Sequence, residues 1–150
     1  MPIYVEVVTQ EKKIFEEREA DMVVVPGAEG EMGILPHHAP ILTTLSFGEL
    51  IVRKANAEER FVIYGGVVDV RPDKVVVLAD MAESSFALDE QKIEEARDRA
   101  QKMMKDGVPE HINRAAELEL RRAELALKIR NKLKSRSGSV LRIIDTSDDE

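Results

Sequence analysis

Two periods of apolar residues divide this chain. Up to about Ala82 the apolar positions come in short, β-rich runs: Ile3 to Val8, Asp21 to Val25, Gly33 to Leu35, Ile41 to Leu45, Glu49 to Arg53, Arg60 to Tyr64, Gly66 to Val70 and Lys74 to Leu78. Nearly every gap carries turn chemistry, supplied by Pro26-Gly27, Glu29-Gly30, Pro36, Pro40, Phe47-Gly48, Asn56, Gly65-Gly66 and Arg71-Pro72-Asp73. This spacing predicts an antiparallel sandwich or barrel. Ile3, Val5 and Val7 alternate with Tyr4, Glu6 and Val8, so at least some strands bury a single face, as two stacked sheets require.

From Leu88 onward the period becomes helical. Asp89 is placed to cap a first helix whose apolar residues Ile93, Ala96, Ala100, Met103 and Met104 share a stripe, and Gly107 stands where a left-handed C-terminal residue is wanted. Pro109 opens a second helix with a stripe through Ile112, Ala116, Leu120, Ala123 and Leu127, widened by Ala115, Leu118, Leu125, Ala126, Ile129 and Leu133. Two such helices with a short connection predict an antiparallel hairpin. Alanine contacts allow close approach but bury little area, so the pair is expected to be held weakly and to open. The expected organisation is α+β: a sandwich over 1–86, a two-helix hairpin over 87–134, and a flexible extension over 135–150 in which Val140 to Ile144 is a short apolar patch.

Composition narrows the function. With 150 residues and 43% hydrophobic content the chain can hold one modest core and an appendage. The absence of cysteine excludes disulfides, thiolate metal sites and thiol nucleophiles. No apolar run approaches bilayer-spanning length and the start lacks a secretory signal pattern, so a soluble chain without direct membrane insertion is expected. A net charge of -7 with 4% aromatic residues argues against nucleic acid as a partner.

Several constellations fail as chemistry. Gly27, Gly30 and Gly33 lack the Gly-Lys-Ser/Thr ending and following helix of a phosphate cradle, and read as turn glycines. His37 and His38 are adjacent, point apart on extended backbone and have no third ligand nearby, so no metal is expected. Asp69, Asp80 and Glu83 belong to no catalytic arrangement, and no active site is assigned. Arg121, Arg122, Lys128, Arg130, Lys132, Lys134 and Arg136 face only Glu124 as a local acid. Such a strip is either a solvated face or a docking surface for an acidic partner.

The run Val25-Pro26-Gly27-Ala28-Glu29-Gly30-Glu31-Met32-Gly33-Ile34-Leu35-Pro36-His37-His38-Ala39-Pro40 closely resembles the signature segment of ATP synthase epsilon subunits. Gly65-Gly66-Val67-Val68-Asp69-Val70, Val77-Leu78-Ala79-Asp80 and Arg122-Ala123-Glu124-Leu125-Ala126-Leu127-Lys128 extend the likeness over about residues 2 to 134. The resemblance implies a sandwich of about ten strands followed by a helical hairpin, with no turnover of its own. It implies a central-stalk subunit that couples ring rotation to ATP synthesis and restrains ATP hydrolysis, at the cytoplasmic face of the cell membrane or the stromal face of a thylakoid. Its partners would be the gamma subunit, the c-ring, and the alpha and beta subunits of the catalytic head.

Carried over by position, Glu31 would approach the polar loops of the ring, His38 and Thr43 would face gamma, and Arg121, Arg122, Lys128, Arg130 and Lys132 would meet acidic loops of beta. No cofactor is required. A regulatory ATP would be held by Asp89, Lys92 and Arg99, although Lys92 and Ile93 stand where the family's motif has Arg and Ala, and Lys lacks the planar fork that pairs with phosphate. The alternative is a free-standing sandwich adaptor whose basic helix binds an acidic protein.

Overall fold

The computed structural model describes residues 2–106, 110–135 and 142–143. Eight strands come first: β1 (Ile3–Val8), β2 (Lys13–Ala20), β3 (Met22–Gly27), β4 (Gly30–Ile34), β5 (Ile41–Lys54), β6 (Ala57–Val70), β7 (Lys74–Ala79) and β8 (Ala82–Ser84). A single 3-10 turn, Ser85–Ala87, leads into α1 (Glu90–Lys105) and α2 (Glu110–Ser135).

The α+β sandwich-and-hairpin architecture stands. The strand count is eight among the described residues rather than ten, because the runs 41–45 and 49–53 belong to one continuous strand, β5, and 60–64 and 66–70 to another, β6. These two 14-residue strands pair along their whole length, from Ile41 with Val70 to Lys54 with Ala57, and serve both layers of the sandwich. The C-terminal half of β6 pairs with β7, which pairs with β1, which pairs with β2. Its N-terminal half pairs with β8, while the C-terminal half of β5 pairs with β3 and through it with β4. One pairing is parallel, β1 with β7, since the chain traverses the rest of the sandwich before returning beside its own start.

Alternation decides what lies between the layers. Val5, Val7, Val75, Val77, Val68 and Val70 from one layer meet Val23, Val25, Ile34, Leu50, Val52, Phe61 and Ile63 from the other in the main core. β2 escapes a periodicity search because KIFEEREA buries only Phe15 and Ala20. It is an edge strand guarded by charge, and it is fastened to β1 by Tyr4 donating to Glu16 at 2.7 Å and by the Lys13–Glu6 ion pair at 3.1 Å.

Asp89 caps α1 as expected, accepting from the backbone N–H of Gln91 at 3.0 Å and of Lys92 at 3.3 Å. The helices run antiparallel, for Arg130 of α2 pairs with Glu90 at the start of α1 and Glu119 pairs with Arg99 further along. Buried Ala100, Ala116 and Ala123 bear out the small-residue stripes. Gly107 and Pro109, read as helix stop and start, lie outside the described residues, as does most of the 135–150 extension.

Candidate interaction surfaces on the sandwich and the hairpin

The outward side of β6's first half would be solvated if the sandwich stood alone. Val62 and Tyr64 point there, and with Leu88, Ala126 and Ile129 they form a second buried cluster, against which Phe47, Ile93, Leu125 and Leu133 pack. Thus α2 lies on the sandwich as well as on α1. Phe47 meets Tyr64 edge-on, with ring centroids 5.7 Å apart. Burial, followed by the influence of the nearby Glu83 carboxylate, pushes the Tyr64 phenol far above its ordinary range, so it remains a neutral donor.

The basic strip of α2 is largely turned to this interface. The Arg121 guanidinium sits 4.4 Å from the centroid of Phe47, and that of Arg122 sits 5.9 Å from Tyr64. Arg130 donates to the Leu88 carbonyl at 2.6 Å. Lys132 reaches Glu49 at 3.4 Å, and Glu49 also binds Arg60, whose side chain is only 2% exposed, at 2.8 Å. Lys128 is exposed.

Between hairpin and sandwich runs a cleft of about 500 Å³ lined by Tyr64, Glu83, Lys92, Ile93, Leu118 and Arg122 among others. Of the three residues expected at an ATP site, Lys92 lines it. The Asp89 carboxylate is occupied as the α1 cap, and Arg99 pairs with Glu119 at 3.8 Å on an exposed face. Arg122, assigned from sequence to a protein partner, lines the same cleft as Lys92. The structure therefore brings Lys92 and Arg122 together and leaves Arg99 outside the cleft lining.

A different surface covers the outer side of the layer containing β1, β7 and the second half of β6. Register places Val8 beside Leu78, Leu78 beside Val67, and Val67 beside Thr44, with Leu42 beside Asp69 and Asp69 beside Val76 in the next row. Their neighbours Val7, Val77 and Val68 are fully buried, so this row faces outward. Leu42 is 71% exposed and Leu78 49%. Glu31 is exposed on β4, cross-strand from Pro26. His38 follows His37, whose φ of 68 and backbone hydrogen bond to the Pro72 carbonyl at 2.8 Å shape the turn into β5. Thr43 pairs with Val68 and has the inward parity of Leu45, whereas Leu42 and Thr44 present outward.

This sandwich has a counterpart among known proteins: a family described as "ATP synthase, Delta/Epsilon chain, beta-sandwich domain" matches residues 2–85. The chain belongs to the ATP synthase epsilon family. ATP synthase epsilon chain of Dehalococcoides mccartyi is 47% identical over 128 residues, which is 85% of this chain and 91% of that one. The epsilon chain of Herpetosiphon aurantiacus is 42% identical over 129 residues, or 86% and 94%. Among solved structures, the Euglena gracilis mitochondrial ATP synthase contains a chain with a TM-score of 0.65 and 22% identity, covering 91% of this chain and 81% of that one. A chain in the central stalk and c-ring of the Tetrahymena thermophila mitochondrial ATP synthase gives 0.55 and 17%, covering 87% and 97%. At those identities the two structures speak to the fold.

In this epsilon-family chain the outward row of Val8, Leu78 and Val67, with Leu42 in the next row, escaped the sequence reading. The signal was present. Val75-Val76-Val77-Leu78 is an unbroken apolar run in a strand that shows only one face to the core, and such runs mark strands covered on both faces. Among the described residues no helix is long and apolar enough to cross a membrane, and no group of three or more His, Cys, Asp or Glu is placed to hold a metal ion.

Proposed function

We propose that the chain is a non-catalytic rotor subunit of an ATP synthase, docking on the gamma subunit and the c-ring through its sandwich and restraining ATP hydrolysis through its hairpin. The observation that carries the docking reading is the outward apolar row Val8, Leu78 and Val67, with the exposed Leu42 in the adjacent row. An outward apolar face of this kind on a sandwich calls for a partner, and Thr43 of β5 and the turn holding His38 lie beside its Leu42 end. Glu31 is assigned to the polar loops of the ring and His38 and Thr43 to gamma, with Leu42 added beside Thr43 because its side chain points outward. The relatives named as ATP synthase epsilon chains support membership of an ATP synthase, and the active sites of the complex would lie on its alpha and beta subunits. Attachment to the membrane, at its cytoplasmic face, would be through those partners.

The regulatory reading rests on competition for the same cations. Arg121, Arg122, Arg130 and Lys132 are engaged by Phe47, Tyr64, Leu88 and Glu49 while the hairpin is docked. Contact with acidic loops of beta requires them, with Lys128, to exchange those partners, so compact and extended hairpins exclude each other. A nucleotide phosphate drawn to Lys92 and Arg122 in the cleft would favour the compact form, with Asp89 fixing the start of α1 and Arg99 at the periphery. ATP in that role is regulatory and the fold does not depend on it.

The test of docking is a pull-down of purified gamma by the full chain, by Leu42→Asp, and by a shortened chain ending at Ser85. The shortened chain should bind like the full one, and Leu42→Asp should weaken binding by about tenfold or more, as expected when a charge replaces an apolar anchor in a contact. Equal binding by Leu42→Asp would move the interface elsewhere. No binding by the unaltered chain would favour a free-standing adaptor.

A further inference from the structure

The docked hairpin has a fastening that belongs to neither helix. Beyond α2 the chain is back at the sandwich by Arg142 and Ile143. Arg142 donates to Glu59 Oε1 from Nε at 3.3 Å and from Nη2 at 2.8 Å, and its guanidinium lies 4.6 Å from the centroid of Phe86. Ile143 packs against the main core of the sandwich.

Each partner occupies a telling position. Glu59 is fully buried on β6, with the inward parity of Phe61 and Ile63 rather than the outward parity of Val62 and Tyr64. A carboxylate there is costly unless a cation and donors come with it. Phe86 lies in the 3-10 turn that joins the sandwich to α1. The site thus combines a buried carboxylate with a ring face, a pair that suits a planar guanidinium better than an ammonium.

We propose that Glu59 and Phe86 form a receptor for the chain's own C-terminal segment, and that Arg142 seated in it straps the hairpin in its compact form. Phe86 lies in the segment 85–89 that links β8 to α1, where the chain would have to turn for α1 and α2 to leave the sandwich. Arg142 ties that turn to β6 across 83 residues of chain. These contacts exist in the docked arrangement and are lost when the turn swings away, so they bias the equilibrium toward it. Ile143 adds an apolar anchor next to the charged one.

The strap acts on the hairpin movement proposed above, and a distance measurement separates the two ideas. The chain has no cysteine, so Lys12→Cys and Lys128→Cys provide two label positions for pulsed electron resonance on the full-length protein, one on the sandwich and one on α2. Ile129→Asp, which breaks the second cluster, serves as the undocked control. Relative to the doubly labelled parent, Arg142→Gln should raise the ratio of long to short distances about fivefold to tenfold, and Arg142→Lys less, since charge is kept but the fork is lost. If Ile129→Asp lengthens the distance while Arg142→Gln leaves the distribution unchanged, the strap is overturned and hairpin movement survives. If none of the three variants lengthens it, the movement itself fails and the strap fails with it.

Discussion

At Gly66 the backbone has φ of +132, and a Cβ there would press on the Leu78 carbonyl and come within 2.8 Å of the Ala79 Cα. Both obstacles are backbone of the neighbouring strand, so nothing flexible can give way. Gly66→Ala should cost more than about 3 kcal/mol in a denaturant titration, combining a disfavoured conformation with overpacking; a loss under about 1 kcal/mol would show that β6 and β7 part more easily than their register suggests. Tyr64 gives a residue-scale prediction of a different kind. Its folded phenol is held above the ordinary value of 10.0, chiefly by burial, so the neutral form is favoured in the folded chain. That stabilisation is complete below about pH 10 and is lost as pH rises through the unfolded and then the folded pKa. Stability should be level up to about pH 10 as far as this group is concerned and then fall, with a shallower fall in Tyr64→Phe. Parallel slopes would put the alkaline loss elsewhere, for instance at Tyr4, whose phenol is also raised by its hydrogen bond to Glu16.

Between elements, the hairpin is the part whose stability is separable. The main core draws its buried residues from the strands alone, whereas the second cluster needs Leu88, Ala126 and Ile129. Ile129→Ala should therefore remove roughly 2–5 kcal/mol from hairpin docking and leave the sandwich folded. Hydrogen exchange would show this as lost protection confined to α1 and α2; loss of protection in β1 and β7 as well would mean that the two clusters unfold as one. The same separation explains what could be read from sequence. The change of period near Ala82, the Asp89 cap and the alanine stripes were legible because each is local. β2 was not, because an edge strand with two buried residues lacks alternation, and the division of β5 and β6 into four runs was an error made by turn residues, Gly48 and Gly65-Gly66, that lie within continuous strands. Among site residues, Lys92 was singled out by its motif and lines the cleft. That Arg122 shares its cleft and Arg99 does not depends on how α2 packs, and that packing is a tertiary fact.

On the scale of the whole molecule, a protein of net charge -7 keeps a basic helix folded against its own acidic and aromatic groups. The arrangement supplies a specific argument about deleting everything from Leu88 onward. The sandwich would lose the cover over Val62 and Tyr64 and the contact with Ile143, yet its main core of strand residues would persist, so rotor assembly should continue. If the freed basic strip restrains the catalytic head, removing it should raise ATP hydrolysis by the assembled complex by about fivefold or more, the lower end of ordinary coupling between a regulatory element and a site. The comparison has to be made at two salt concentrations, because a restraint that works through Arg121, Lys128 and Lys132 on exposed acidic loops weakens as ionic strength rises. The deletion should therefore matter most at low salt. Equal hydrolysis with and without the hairpin at low salt would sink the inhibitory reading while leaving the stalk assignment standing, because the docking proposed for the sandwich runs through Leu42 and Leu78 rather than through the helices.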